Sequence, residues 1–97
     1  MLNPTPPDKL CDREGRPYFL WDVDMTLAAF RAQLVDPDPD VRAHAIGKLM
    51  RQARPDDALS FLSLAQIRGE WDRVQRYLGN RRAFWQWLIP ELERRAG

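Results

Sequence analysis

The sequence predicts an all-α protein of four to five helices in antiparallel hairpins, preceded by an extended N-terminal arm. Apolar residues recur at intervals of three and four in several segments, which is the period of an amphipathic helix. Residues typical of helix starts precede these segments, and none shows the alternation of a convincing strand. Because 97 residues have room for a single core, we expect one helical domain over residues 18 to 97.

The N-terminal arm, residues 1 to 17, is predicted to be extended or disordered. It contains Pro4, Pro6, Pro7 and Pro17 and has no apolar period. Proline fixes its own backbone angle and disfavours helix at the residue before it. The aromatic run from Tyr18 to Trp21 is too short for a strand pair, so we expect it to lie as an extended segment across the helices.

Two helices are predicted next. Thr26 can cap a helix over residues 27 to 35, and the run from Asp36 to Pro39 ends it. Asp38 is a good N-cap and Pro39 suits a first helical position, so a second helix should run from there to about residue 53. Its buried face should contain Ala45, Ile46, Leu49, Met50 and Ala53.

The C-terminal half predicts a short helix over about 56 to 62 and two longer ones. Ser63 and Gln66 form a capping-box pattern before the apolar series Leu64, Ile67, Trp71, Val74 and Leu78. Asn80 can cap a last helix from residue 81, and Pro90 should kink or break it. The inner stripe of that helix should consist of Phe84, Trp85, Leu88 and Leu92.

Composition excludes several classes of protein. Hydrophobic residues make up 44% and charged residues 30% of the chain, which is typical of a globular domain. Cys11 is the single cysteine and His44 the single histidine, so we expect no internal disulfide, no zinc site and no cofactor. The longest stretch without a charged residue, Ala58 to Ile67, is far shorter than the ~18 residues of a membrane span. A cytoplasmic protein without a membrane partner is therefore expected.

The segment from Phe19 to Leu27 resembles the first motif of haloacid-dehalogenase-type phosphatases. That resemblance implies Asp22 as nucleophile, Asp24 as general acid and base, and Thr26 as a structural hydroxyl. Met25 stands where the family has glycine, and the helices leave no strands for the sheet that such a site needs. The other interpretation is that these residues cap the first helix. We therefore predict that the protein is not an enzyme and keep a phosphatase fragment as an alternative.

The segment from Leu34 to Leu49 resembles the turn and second helix of a HEAT repeat. A helix pair of this kind buries its apolar faces by stacking on neighbours, and the inward residues would be Val41, Ala45, Ile46 and Leu49. The resemblance also implies a structural ion pair between Arg42 and Asp36 or Asp40.

The run from Arg16 to Thr26 and the helices after it resemble a family of small bacterial proteins. Members of this family are often encoded beside nucleotidyltransferase toxins of the abortive-infection E type, and the likeness covers roughly residues 16 to 90. The resemblance implies a small partner of such a toxin, with a regulatory or antitoxin-like role. We therefore predict a non-catalytic protein that binds the nucleotidyltransferase and covers its active cleft or substrate path.

The residues predicted to bind a partner are Tyr18, Phe19, Trp21, Arg81, Arg82 and Trp87. Arg81 and Arg82 oppose the dipole of their own helix, which suggests a partner acid, either within the chain or outside it. Trp87 lies off the apolar stripe of its helix, so we expect it to be the most exposed of the four tryptophans. The alternative is a nucleic-acid-binding accessory protein, whose phosphate contacts would come from Arg68, Arg73, Arg76, Arg81 and Arg82.

Overall fold

The computed structural model describes residues 3 to 96, which contain six α-helices, five of them with seven or more residues. The helices are α1 (Pro7–Leu10), α2 (Leu27–Leu34), α3 (Pro39–Gln52), α4 (Pro55–Phe61), α5 (Leu64–Val74) and α6 (Arg82–Ala96). Single 3-10 turns occupy Tyr18–Leu20, Gln75–Tyr77 and Gly79–Arg81. This part of the chain contains no strand, and an isolated bridge joins Cys11 to Pro17. The predicted all-α class is confirmed.

Local capping chemistry sets the starts of three helices. The Thr26 hydroxyl accepts the N–H of Ala29 at 3.2 Å before α2, and the Asp38 carboxylate accepts the N–H of Asp40 at 2.9 Å before α3. Before α5, Ser63 and Gln66 form the reciprocal capping box, with bonds of 2.9 and 3.1 Å. Each bond satisfies an N–H that the helix cannot pair internally.

Helix α3 lies at the centre of the domain and contacts α2, α4, α5 and all three 3-10 turns. Its buried residues are Ala43, Ala45, Ile46, Gly47, Leu49 and Met50. The inward position predicted for Val41 is wrong, because Val41 is 36% exposed and Ala43 belongs to the buried sector instead. Gly47 permits a close approach, since a Cβ added there would lie 2.6 Å from the Cβ of Tyr77.

The aromatic run from Tyr18 to Trp21 forms a turn, so the predicted extended conformation is wrong. Phe19 and Leu20 are consecutive, and both are buried in the core. An extended segment on the surface of the helices would point neighbouring side chains to opposite faces, whereas this turn directs both into the core. The arm before this run is not wholly extended either, because Pro7–Leu10 is helical.

The C-terminal helix continues through Pro90, so the predicted break does not occur. Pro90 lies on the exposed side of α6, between the buried Ile89 and the half-buried Glu91. The Cα radius of gyration is 13.2 Å, which is close to the ~13 Å of a compact chain of this size. Every helix within residues 3 to 96 is too short or too polar to traverse a bilayer.

Candidate functional site

A buried carboxylate in α4 joins the N-terminal segment to the helical domain. Asp57 is buried, with 1% of its surface exposed. It accepts hydrogen bonds from the N–H of Thr5 at 2.6 Å, the hydroxyl of Thr5 at 2.6 Å and the hydroxyl of Tyr18 at 2.5 Å. The Tyr18 oxygen accepts the N–H of Arg54 at 2.9 Å, and the Arg54 guanidinium donates to the Thr5 hydroxyl at 3.0 Å. We call these four residues the Asp57 cluster.

In the Asp57 cluster, the pKa of Asp57 is lowered and the pKa of Tyr18 is raised, so both lie further from pH 7 than usual. Burial alone would raise the pKa of Asp57, but the hydrogen bonds from Thr5 and Tyr18 outweigh burial and lower this pKa. Burial, followed by the hydrogen bond to Asp57, raises the pKa of the Tyr18 phenol. Neither group is therefore poised to exchange protons near pH 7. The cluster has the properties of a structural contact, here called the clasp, that attaches the N-terminal segment to α4, rather than those of an acid-base site.

The residues of the phosphatase-like segment each have a separate structural partner. Asp22 accepts hydrogen bonds from Lys48 at 2.8 Å and Gln52 at 3.2 Å, and these two bonds lower its pKa. Asp24 pairs with Arg16 at 3.2 Å. The two carboxylates are thus held by different cations, and the Thr26 hydroxyl caps α2.

The aromatic run divides its side chains between core and solvent. Phe19 is fully buried and packs edge-to-face against Phe30 and Phe61, so its predicted place in a partner-binding surface is wrong. Tyr18 is 37% exposed and Trp21 is 76% exposed. The turn that buries Phe19 is what leaves Trp21 in solvent.

The second predicted surface lies at the start of α6. The Arg81 guanidinium carbon lies 5.0 Å from the centre of the Phe84 ring, and the Phe84 and Trp87 rings are 6.2 Å apart. Trp87 is 60% exposed and Arg82 is exposed as well. The prediction that Trp87 is the most exposed tryptophan is wrong, because Trp21 is more exposed.

The fully buried tryptophan is Trp85, which points inward from α6. Its indole N–H donates to the backbone carbonyl of Met50 at 2.9 Å, so its one polar atom is satisfied in the core. Trp71 is half-buried. Trp21 and Trp87 are therefore the tryptophans with side chains available to a partner.

An apolar groove of about 680 Å³ lies between α4, the start of α5 and α6. Its apolar walls are formed by Leu59, Leu62, Leu64, Phe84, Leu88 and Leu92. The charged residues at its rim are Asp56 and Arg95. Phe84 is shared between this groove and the surface of Arg81 and Trp87.

Arg42 has a different ionic partner from the one predicted. Its Nε donates to the Glu70 carboxylate of α5 at 2.8 Å, and its Nη1 donates to the backbone carbonyl of Asp36 at 2.8 Å. The predicted ion pair with the carboxylate of Asp36 or Asp40 is wrong. The Asp36 carboxylate instead accepts the N–H of Asp38 within the turn, at 2.8 Å, and Asp40 is exposed.

The arginines considered for phosphate binding fall into two groups. Arg68 forms a bidentate pair with Glu93, with nitrogen to oxygen distances of 2.8 to 3.3 Å. This pair raises the pKa of Arg68 and lowers that of Glu93. In residues 3 to 96, no carboxylate forms an ion pair with the remaining four, which are Arg73, Arg76, Arg81 and Arg82.

Two features important to the candidate surfaces were not predicted. In the Asp57 cluster, Tyr18 lies 39 positions and Thr5 lies 52 positions before Asp57, and no local sequence pattern indicates such contacts. The groove could have been suspected from Leu59 in α4 and Leu62 directly after its last residue, because these two apolar side chains stand at helical spacing.

The described residues contain no group of three His, Cys, Asp or Glu side chains that could hold a metal ion. No family model, no curated protein and no solved structure matches this chain. Its function therefore has to follow from the chemistry of its own residues.

Proposed function

We propose that this protein is a non-catalytic binding module that regulates a partner protein. The observation that carries the proposal is the exposure of two large aromatic side chains, Trp21 at 76% and Trp87 at 60%. Tryptophan is enriched among the residues that dominate binding energy at interfaces, and leaving two in solvent has no benefit for folding. The separate structural partners of Asp22 and Asp24 are consistent with a non-catalytic role.

The proposed partner is a nucleotidyltransferase toxin, and the role is antitoxin-like. Support comes from the resemblance of the run from Arg16 to Thr26 to the small proteins encoded beside such toxins. Within this run Tyr18 and Trp21 are accessible, so these two are the proposed contact residues. Arg81, Arg82 and Trp87 form the second proposed contact, at the start of α6.

We also propose that α2 and α3 form a HEAT-like pair. They contact each other and are joined by four residues, from Val35 to Asp38. Arg42 donates across this connection to the carbonyl of Asp36, which fixes the turn from the side of α3. A pair of this kind offers a rigid surface for protein binding.

The test is binding to an abortive-infection E type nucleotidyltransferase from the same genome, measured by isothermal titration calorimetry. We expect Trp21→Ala or Trp87→Ala to weaken binding by about 30-fold, the loss expected of an interface anchor worth about 2 kcal/mol. Val35→Ala is the matched control, because Val35 is 73% exposed and belongs to neither surface. Melting temperatures should stay unchanged. Absence of a complex, or equal binding by all three variants, would contradict the proposal.

Nucleic acid is the second candidate partner, favoured by the four arginines without ion pairs in the described part of the chain, Arg73, Arg76, Arg81 and Arg82. Fluorescence anisotropy with a labelled single-stranded oligonucleotide tests this candidate. If these side chains contact phosphates, each substitution by alanine should reduce the slope of log affinity against log salt by about one. Arg68→Ala is the control, since Arg68 is already paired with Glu93.

A further inference from the structure

We infer that the groove between α4 and α6 binds an amphipathic helix of a partner protein that carries acidic side chains near both of its ends. This inference rests on the proposed binding function and specifies the chemistry of the bound segment. Its basis is an apolar groove flanked by two arginines, Arg95 in its lining and Arg81 on its Phe84 ring, neither of which pairs with a carboxylate within residues 3 to 96.

The walls of the groove suit the apolar face of a helix. Leu59, Leu64, Leu88 and Leu92 are half-buried, so each retains apolar surface that a bound segment would cover. Helices bind such grooves through apolar side chains spaced three and four residues apart. A β-strand partner would need an exposed strand edge, and residues 3 to 96 contain no strand.

The charges around the groove favour acidic side chains. Arg81 stacks on Phe84 at one end of the groove, and it forms no ion pair among the described residues. Arg95 lines the groove near the other end of α6, and it too lacks an ion pair among the described residues. Asp56, the acid among the described residues that line the groove, is already engaged, because it accepts the N–H of Asn3 at 2.9 Å. A guanidinium forms strong charge-assisted hydrogen bonds with a carboxylate, so acidic side chains of a bound segment fit Arg81 and Arg95.

The positions of these arginines set the spacing of the acids. Arg81 and Arg95 are separated by about four turns of helix, or about 20 Å at 1.5 Å per residue. Acidic side chains on a bound helix should therefore lie about four turns apart, with apolar residues between them. An acid beside Arg81 also meets the positive end of the α6 dipole.

Two synthetic peptides test the inference with the full chain. Both have the same leucine pattern over about 18 residues, but one carries glutamate near both ends and the other carries lysine. We expect fluorescence anisotropy to show at least tenfold tighter binding of the glutamate peptide. The Arg81→Glu, Arg95→Glu double variant should reverse this preference, whereas the Arg13→Glu, Arg51→Glu control, with the same change in net charge outside the groove, should keep it.

Leu88→Ala provides a second variant that leaves the charges intact. It should weaken binding of the glutamate peptide at least fivefold, and circular dichroism melts verify that each variant is folded. Equal binding of the two peptides, tighter binding of the lysine peptide or no binding of either would overturn the inference. So would a dimer in analytical ultracentrifugation that Leu88→Ala dissociates, because the groove would then belong to a second copy of the chain.

The peptide experiment tests the groove inference, and the toxin experiment tests the proposed function, so a negative result in one does not decide the other. If the toxin binds through Trp21 or Trp87 and neither peptide binds, the groove inference is wrong and the proposed function stands. If the glutamate peptide binds selectively and no toxin does, the groove inference stands and the proposed partner is wrong.

Discussion

Replacing Asp57 by asparagine should destabilise the protein substantially, although the two side chains have nearly the same shape. The asparagine oxygen can still accept the N–H of Thr5. Its NH₂ group, however, would face the hydroxyls of Thr5 and Tyr18, which now donate to Asp57. The Tyr18 oxygen already accepts the N–H of Arg54, so it has little capacity to accept a second donor.

The expected loss follows from the bonds that asparagine cannot make. Hydrogen bonds to a charged group contribute about 1.5 to 3 kcal/mol each, and two of them are lost here. Removing the buried charge offsets part of this loss, so we expect a net destabilisation by Asp57→Asn of about 2 to 3 kcal/mol. For a domain of about 100 residues, this corresponds to a fall in melting temperature of roughly 10 to 20 °C.

The measurement is urea and thermal unfolding at pH 7 followed by circular dichroism. Asp56→Asn is the matched control, because Asp56 is the neighbouring acid and accepts one hydrogen bond, from the N–H of Asn3. We expect the control to lose less than about 1 kcal/mol, within the usual range for surface substitutions. Equal stability of the two variants would refute the assignment of Asp57 as the clasp of the N-terminal segment.

The pH dependence of stability gives the same prediction a second readout. Because the pKa of Asp57 is lowered in the folded protein, its contribution is fully present above the ordinary value of 3.8 and is lost as the pH falls through the lowered value. The stability difference between wild type and Asp57→Asn should therefore narrow in acid. The pKa of Tyr18 is raised, so its contribution is present below pH 10 and is lost as the pH rises through the raised value.

Two further predictions concern the packing of α3. Gly47→Ala should destabilise the protein by roughly 1 to 3 kcal/mol, because its Cβ would lie 2.6 Å from the Cβ of Tyr77. Gly69→Ala, where nothing lies within 4 Å, should instead stabilise α5 by up to about 1 kcal/mol, and urea unfolding distinguishes the two outcomes. Arg42→Met should cost about 1 to 2 kcal/mol, since the side chain is 30% exposed and the Glu70 partner 19% exposed. Glu70→Gln in the Arg42→Met background should then have little additional effect, whereas full additivity of the two losses would contradict the pairing.

The helix starts are predictable because their signals are local. Thr26, Asp38 and Ser63 each bond to an N–H two or three positions ahead, so the pattern and the contact lie within one turn. The same locality explains why the all-α class could be inferred from spacing alone.

The candidate sites were harder to predict because they depend on contacts distant in sequence. Phe19 and Trp21 are aromatic residues two positions apart, and only the turn between them decides that one is buried and the other exposed. Arg42 takes its ionic partner from α5, 28 residues away, rather than from the adjacent turn. Asp57 looks like an ordinary acid in the first turn of a helix until Thr5 and Tyr18 are placed beside it.

The clasp at Asp57 has a consequence for the order of folding events. Thr5 and Asp57 are 52 residues apart, and closing a flexible loop of that length costs about 3.5 kcal/mol from its logarithmic dependence on length. Contacts between neighbouring helices close much shorter loops, so they should form first and the clasp should form after the folding transition state. Loss of the clasp should then accelerate unfolding and leave the refolding rate almost unchanged. The N-terminal segment therefore contributes to the lifetime of the folded state more than to the speed with which that state is reached.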